Sequence, residues 1–101
     1  QPSPVRFRLQ GGVREFLEMD GDGGSQAVVE VSLSLLDGDY PDLPRRLLFQ
    51  RVYRQDAAMA EASAPALARG MSQAMDQLSQ RLRADLRQAI AQRLAQPPEA
   101  N

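Results

Sequence analysis

The chain has 101 residues, 43% hydrophobic and 25% charged, with 12 Arg, 13 acids and a formal net charge of −1. That composition belongs to an ordinary folded domain burying roughly 60–65% of its unfolded surface, and it excludes intrinsic disorder. No apolar run approaches the ~18 residues a membrane-crossing helix needs, and the absence of Cys, His and Lys removes most nucleophile–base pairs and transition-metal sites.

Val5, Phe7 and Leu9 alternate with Arg6 and Arg8, the period-two pattern of a half-buried strand. Beyond Gly11-Gly12, Phe16 falls in the opposite parity from that trio. A glycine bulge at the pair would shift the register by one and return Phe16 to the core face, making residues 5–19 one long bent strand. Asp20-Gly21-Asp22-Gly23-Gly24 is a hairpin turn by composition. Read instead as a calcium loop, it would need Glu at its twelfth position, where Val31 stands, and its flanks are strands rather than helices.

A second strand follows, in which Ala27, Val29, Val31, Leu33 and Leu35 face one way and Glu30, Ser32 and Ser34 the other. Residues 37–46 read as a loop broken by Pro41 and Pro44. A third strand runs from Leu47 to Arg54, with Phe49 and Tyr53 on one face and Leu48 and Val52 on the other. Residues 55–63 lack a clear period and read as a connection. From Pro65 to Gln96 the apolar residues Leu67, Met71, Met75, Leu78, Leu82, Leu86 and Ala89 recur every three or four positions, the mark of one long amphipathic helix. Ser63 can cap it, Pro65 is tolerated in its first turn, and Pro97-Pro98 ends it. About 30 residues make a rod of about 45 Å, longer than the strands beneath, so its far end is expected to overhang or meet another element.

These elements define an α+β fold: a three-stranded antiparallel meander packed under one long C-terminal helix. One domain is expected over residues 1–96, with 97–101 a tail. A sheet this small leaves an unpaired edge, so it is expected to be part of a larger one. The opening Gln-Pro-Ser-Pro reads as the middle of something longer.

No catalytic, cofactor-binding or metal-binding residues emerge. The acids concentrate in turns (Asp20, Asp22, Asp37, Asp39, Asp42), where Asp is a turn former, and no G-x-S-x-G elbow is present. Residues 1–63 carry seven Arg and ten acids, whereas residues 64–96 carry five Arg and two acids, so helix and sheet attract one another. The helix arginines scatter around the wheel with no interleaved aromatic, which argues against nucleic acid as a partner. Ile90 and Leu94 lie away from the middle of the apolar stripe near the helix end. With Arg83 and Arg87 they are the candidate partner contacts, to another subunit, to a missing part of the chain, or to a second copy in a homo-oligomer.

The order of pieces carries a resemblance. A bent strand with Arg-Glu-Phe (14–16) precedes an acidic Gly-rich turn. Val-Val-Glu-Val-Ser-Leu-Ser-Leu-Leu-Asp (28–37) and Arg-Arg-Leu-Leu-Phe-Gln-Arg-Val-Tyr-Arg (45–54) come next. An Ala-rich link then leads into Ala-Pro-Ala-Leu-Ala-Arg-Gly-Met-Ser-Gln-Ala-Met-Asp-Gln-Leu-Ser (64–79). Over roughly residues 5–95 this resembles the C-terminal half of the ABC-type transport auxiliary lipoproteins, the family that includes PqiC-like proteins of Gram-negative bacteria. The resemblance implies a non-catalytic periplasmic accessory subunit of an ABC/MCE-type system moving lipid or other hydrophobic cargo. Its partners would be MCE-type or permease subunits and lipid. It would be held at the outer membrane by a lipidated Cys that this sequence does not contain. Two alternatives share the architecture: a module holding a small apolar ligand between helix and sheet, and an outer-membrane assembly lipoprotein of the LPS-translocon type.

Overall fold

The structure, a computed structural model, describes residues 5–96. Three strands, β1 (Phe7–Gly21), β2 (Gly24–Asp37) and β3 (Leu47–Ala58), form an antiparallel sheet in the order β1-β2-β3. A helical turn α1 (Leu43–Arg46) lies between β2 and β3, and the 32-residue helix α2 (Ala64–Ala95) follows β3. The α+β meander with one long C-terminal helix is thus the observed fold.

β1 and β2 are joined by a two-residue turn, Asp22-Gly23, with Gly21 paired to Gly24. Gly24 adopts φ 104°, a left-handed conformation that glycine takes without a side-chain clash. The register shift expected at Gly11-Gly12 lies instead between Val13 and Glu15, with Arg14 as the extra residue. Its consequence is the expected one: Phe16 (opposite Val29) returns to the face that holds Leu9 (opposite Leu35) and Val13 (opposite Val31). Gly11 has a different task. β1 passes so close to β2 there that a Cβ would collide with the Ser32 carbonyl oxygen.

β3 extends four residues past the expected end at Arg54, pairing Gln55 with Val29 and Ala57 with Ala27. Apolar alternation is weak there because Gln55 faces the helix rather than an apolar wall: its amide donates to Gln77 Oε1 at 2.9 Å. Within the 37–46 loop, Asp42 caps α1 by accepting from the Arg45 N–H at 3.4 Å.

Ser63 caps α2 as expected, accepting from the Ala66 N–H at 3.2 Å. At 1.5 Å per residue α2 is about 48 Å long. It runs back along β3: Gly70 lies over Ala27 and Met59, Asp85 meets Tyr53, and Arg93 reaches Asp37. Its buried residues are Ala66, Gly70, Met71, Ala74 and Leu78. The seat of the helix is therefore a row of small residues four apart, and the larger stripe read from the sequence lies on one flank of it. Met71 and Leu78 are buried, Leu67, Leu82, Leu86 and Ala89 are half-buried, and Met75 is exposed. The core lies on one face of the sheet, between α2 and Ala27, Val29, Val31, Tyr53 and Ala57.

Candidate functional site

Three polar clusters fix the frame. The Asp37 carboxylate, with no solvent exposure, accepts from Arg6 Nε (2.9 Å) and Arg6 Nη2 (3.1 Å). It also accepts from Arg93 Nη1 (3.0 Å) and the Asp39 N–H (3.0 Å). Those donors, the Arg6 guanidinium above all, outweigh burial and hold the carboxyl below the ordinary carboxylate range. Arg93 also covers the Tyr40 ring at 4.4 Å and donates to the Arg45 carbonyl at 2.8 Å. The far end of the helix thus meets the β2–β3 loop rather than overhanging.

Midway along the helix, the buried Tyr53 hydroxyl donates to Asp85 Oδ2 at 2.6 Å, and Arg51 pairs with the same oxygen at 3.1 Å. The Tyr53 hydrogen bond, with Arg51 beside it, lowers the Asp85 carboxyl; burial first, then Asp85, raises the Tyr53 phenol. On the face away from α2, Arg54 bridges Glu15 (3.0 Å), Glu30 (3.4 Å) and Asp56 (3.5 Å). Every buried side-chain nitrogen or oxygen among the described residues has a partner. Asp37 and Asp85 are held ionised, which suits ion pairs and does not suit proton donation near neutrality.

The unresolved business of the fold is apolar. α2 packs on β2 and β3. A helix about 10 Å across covers two strands spaced about 4.8 Å apart, so β1 lies beside it rather than under it. Phe16 is 57% exposed and Val13 66%, with Leu9 also exposed, although all three face the helix side of the sheet. This corrects the sequence expectation that Leu9 and Phe16 belong to the core side of a half-buried strand; Val13 shares their exposure. Gln77 and Arg81 mark the β3 flank of α2, through Gln55 and the Arg54 carbonyl. At about 100° per residue, Met75, Leu82 and Leu86 fall on the opposite flank, above β1. Together with Leu9, Val13 and Phe16 they line an apolar trough open to solvent, bounded on its outer side by the edge of β1, which pairs with no strand but β2 among the described residues.

Of the sequence-derived contact residues, Arg83 and Arg87 are exposed, Leu94 is 58% exposed and Ile90 is half-buried. Their 4-3-4 spacing puts all four on one strip of α2, rotated outward from the trough wall. The trough itself was missed by sequence reasoning. Its one available signal was arithmetic, since a single helix cannot roof three strands. Among the described residues, no group of three or more Asp or Glu is placed to hold a metal ion, and no helix is long and apolar enough to cross a membrane. No family model matches the chain, and no curated protein or solved structure matches it either.

Proposed function

We propose that the protein is a non-catalytic accessory subunit of an ABC/MCE-type envelope lipid-transport assembly, acting by docking rather than by chemistry. The observation that carries this reading is the uncovered β1 face. Val13, Phe16, Leu9 and Met75 keep enough exposed apolar surface to yield about 1 kcal/mol each if covered. Among the described residues, β1 also offers a free backbone edge. One strand is too narrow a floor for a helix, so the occupant that fits is a strand-and-helix unit of another subunit. Its strand would extend the sheet at β1, and its helix would lie over Leu9, Val13 and Phe16 against the Met75, Leu82 and Leu86 flank of α2, with Arg83, Arg87, Ile90 and Leu94 on the strip above. The order of elements supports the family reading, and with it a periplasmic site at the outer membrane.

The alternative of a small apolar ligand held between helix and sheet is disfavoured by packing. At Gly70 even an added methyl would meet Ala27 Cβ at 2.9 Å, so no space for a ligand exists there.

The test is a transport assay in the host envelope with the double substitution Val13→Asp and Phe16→Asp. Phe16 keeps part of its ring covered and Asp is a poor strand former, so retention of the fold is checked first by circular dichroism. Lipid transport and co-purification with the MCE-type or permease subunit should be lost together. A variant that folds normally and transports normally refutes the proposal.

A further inference from the structure

At the end of the sheet where β1 begins, β2 ends and α1 closes, Val5, Arg6, Arg8, Gln10, Leu36, Gly38 and Arg46 line an open recess of about 260 Å³. Arg8 and Leu36 are cross-strand partners and, by strand alternation, face away from α2. The recess is therefore separate from the trough.

Its charge is unbalanced. Arg6 is committed to Asp37 and to Asp39, the latter at 3.2 Å, and Arg93 shares Asp37. Arg46 spends Nε and Nη2 on two neutral acceptors, the Tyr40 carbonyl (2.9 Å) and the Pro41 carbonyl (3.0 Å), and pairs with no carboxylate among the described residues. Arg8 is exposed and likewise pairs with no carboxylate among them. Two guanidinium charges thus converge on one concavity without a counter-ion, in a chain whose net charge is negative. Arg46 is held in place by its carbonyl bonds, which lowers the entropy cost of using its remaining Nη1. The Gln10 amide adds a neutral donor.

We propose that this recess is an anion site for a phosphate group, gripped by Arg8 and Arg46, with Arg6 closing one wall. Planar guanidinium forks match phosphate oxygens in pairs, and the volume suits a phosphate or phosphodiester head rather than a whole lipid. Val5 and Leu36 supply an apolar rim that tolerates the carbon chain of a phosphate ester. The site stands independently of the docking reading, since none of its residues lines the trough.

The test follows the arginine Nε–H signals of the full chain by NMR during titration with inorganic phosphate. In parallel, vesicles of phosphatidylglycerol and of phosphatidylcholine are floated with the protein. Phosphate should move the Arg8 and Arg46 signals, and Arg8→Gln should weaken binding about fivefold or more, with Arg69→Gln, at an exposed position of α2, as the unaffected control. Arg46→Gln is checked first by circular dichroism, because Arg46 also holds its loop; Arg8→Gln carries the test if that variant is unfolded. Flotation with phosphatidylglycerol alone, lost in Arg8→Gln, would make a lipid headgroup the source. A phosphate response without flotation would make it a soluble phosphate ester. The proposal is overturned if neither phosphate nor phosphatidylglycerol binding depends on Arg8.

Discussion

Gly70 sets how near the helix sits to the sheet, and replacing it with Ala puts two known effects in opposition. Ala is the better helix former by about 1 kcal/mol. The new methyl, however, would stand 2.9 Å from Ala27 Cβ and 3.4 Å from Met59 Cγ. Carbon atoms at rest are about 3.5–4.0 Å apart, so the Ala27 contact is short by more than half an ångström. The Met59 side chain can swing aside. Ala27 cannot, because its Cβ is fixed to the central strand between β1 and β3. Overpacking of this kind costs about 2 kcal/mol, leaving a net destabilisation of about 1 kcal/mol. For a chain of this size, Tm should fall by about 4–8 °C, read by circular dichroism. A double-mutant cycle isolates the cause. In an Ala27→Gly background the obstruction is gone, so Gly70→Ala should raise stability by about 1 kcal/mol, a coupling of about 2 kcal/mol. A Tm that rises on Gly70→Ala alone, or effects that simply add, would refute the close-contact argument.

Three further outcomes are expected. Asp37→Asn leaves Arg6 and Arg93 without their shared carboxylate and should cost about 2 kcal/mol in urea unfolding at neutral pH. That is less than a dry ion pair would lose, because Arg6 remains 35% exposed. The folded carboxyls of Asp37 and Asp85 titrate below their unfolded value of about 3.9, so their stabilisation is complete above that pH and is lost as pH falls through the lower folded value. The parent should therefore weaken steeply in acid, and Asp37→Asn should weaken less steeply; parallel acid limbs would contradict this. Tyr53→Phe removes a hydrogen bond to an ionised acceptor and should lower stability by about 1.5 kcal/mol. It should also abolish a tyrosine absorbance transition lying above the ordinary phenol range. Ser63→Ala should cost about 1 kcal/mol through loss of the cap on α2, and Ser63→Asp should recover most of it in thermal melts.

What could be read from the residues was whatever repeats with a short period. β2 and α2 declared themselves because Val29-Val31-Leu33-Leu35 and Leu67-Met71-Leu78-Leu82 alternate at the periods of strand and helix. The face of Phe16 was also legible, since only a register shift could reconcile it with Phe7 and Leu9. The residue that absorbs the shift was not. Gly11 looked like the weak point but is required for close passage of β1 over Ser32, so the extra residue falls at Arg14. The last four residues of β3 were hidden because a Gln–Gln bond across the helix interface replaces an apolar contact. The trough was hidden for a different reason. Hydrophobicity says which side of a strand prefers burial, whereas its cover depends on the ratio of helices to strands. Arg8 and Arg46 were invisible as a pair because they are 38 positions apart and meet only when the sheet end and α1 come together.

The clasp at Asp37 has a topological consequence. Arg6 and Arg93 belong to opposite extremities of the described chain, yet both grip one carboxylate, 31 residues from the first and 56 from the second. Anything attached before β1 is therefore delivered next to anything attached after α2. A circular permutant that joins those extremities and opens the chain at Asp22-Gly23 would keep every long-range bond named above. In the order of the chain, the clasp cannot shut until the final turn of α2 has formed, so the end of the helix secures the start of β1.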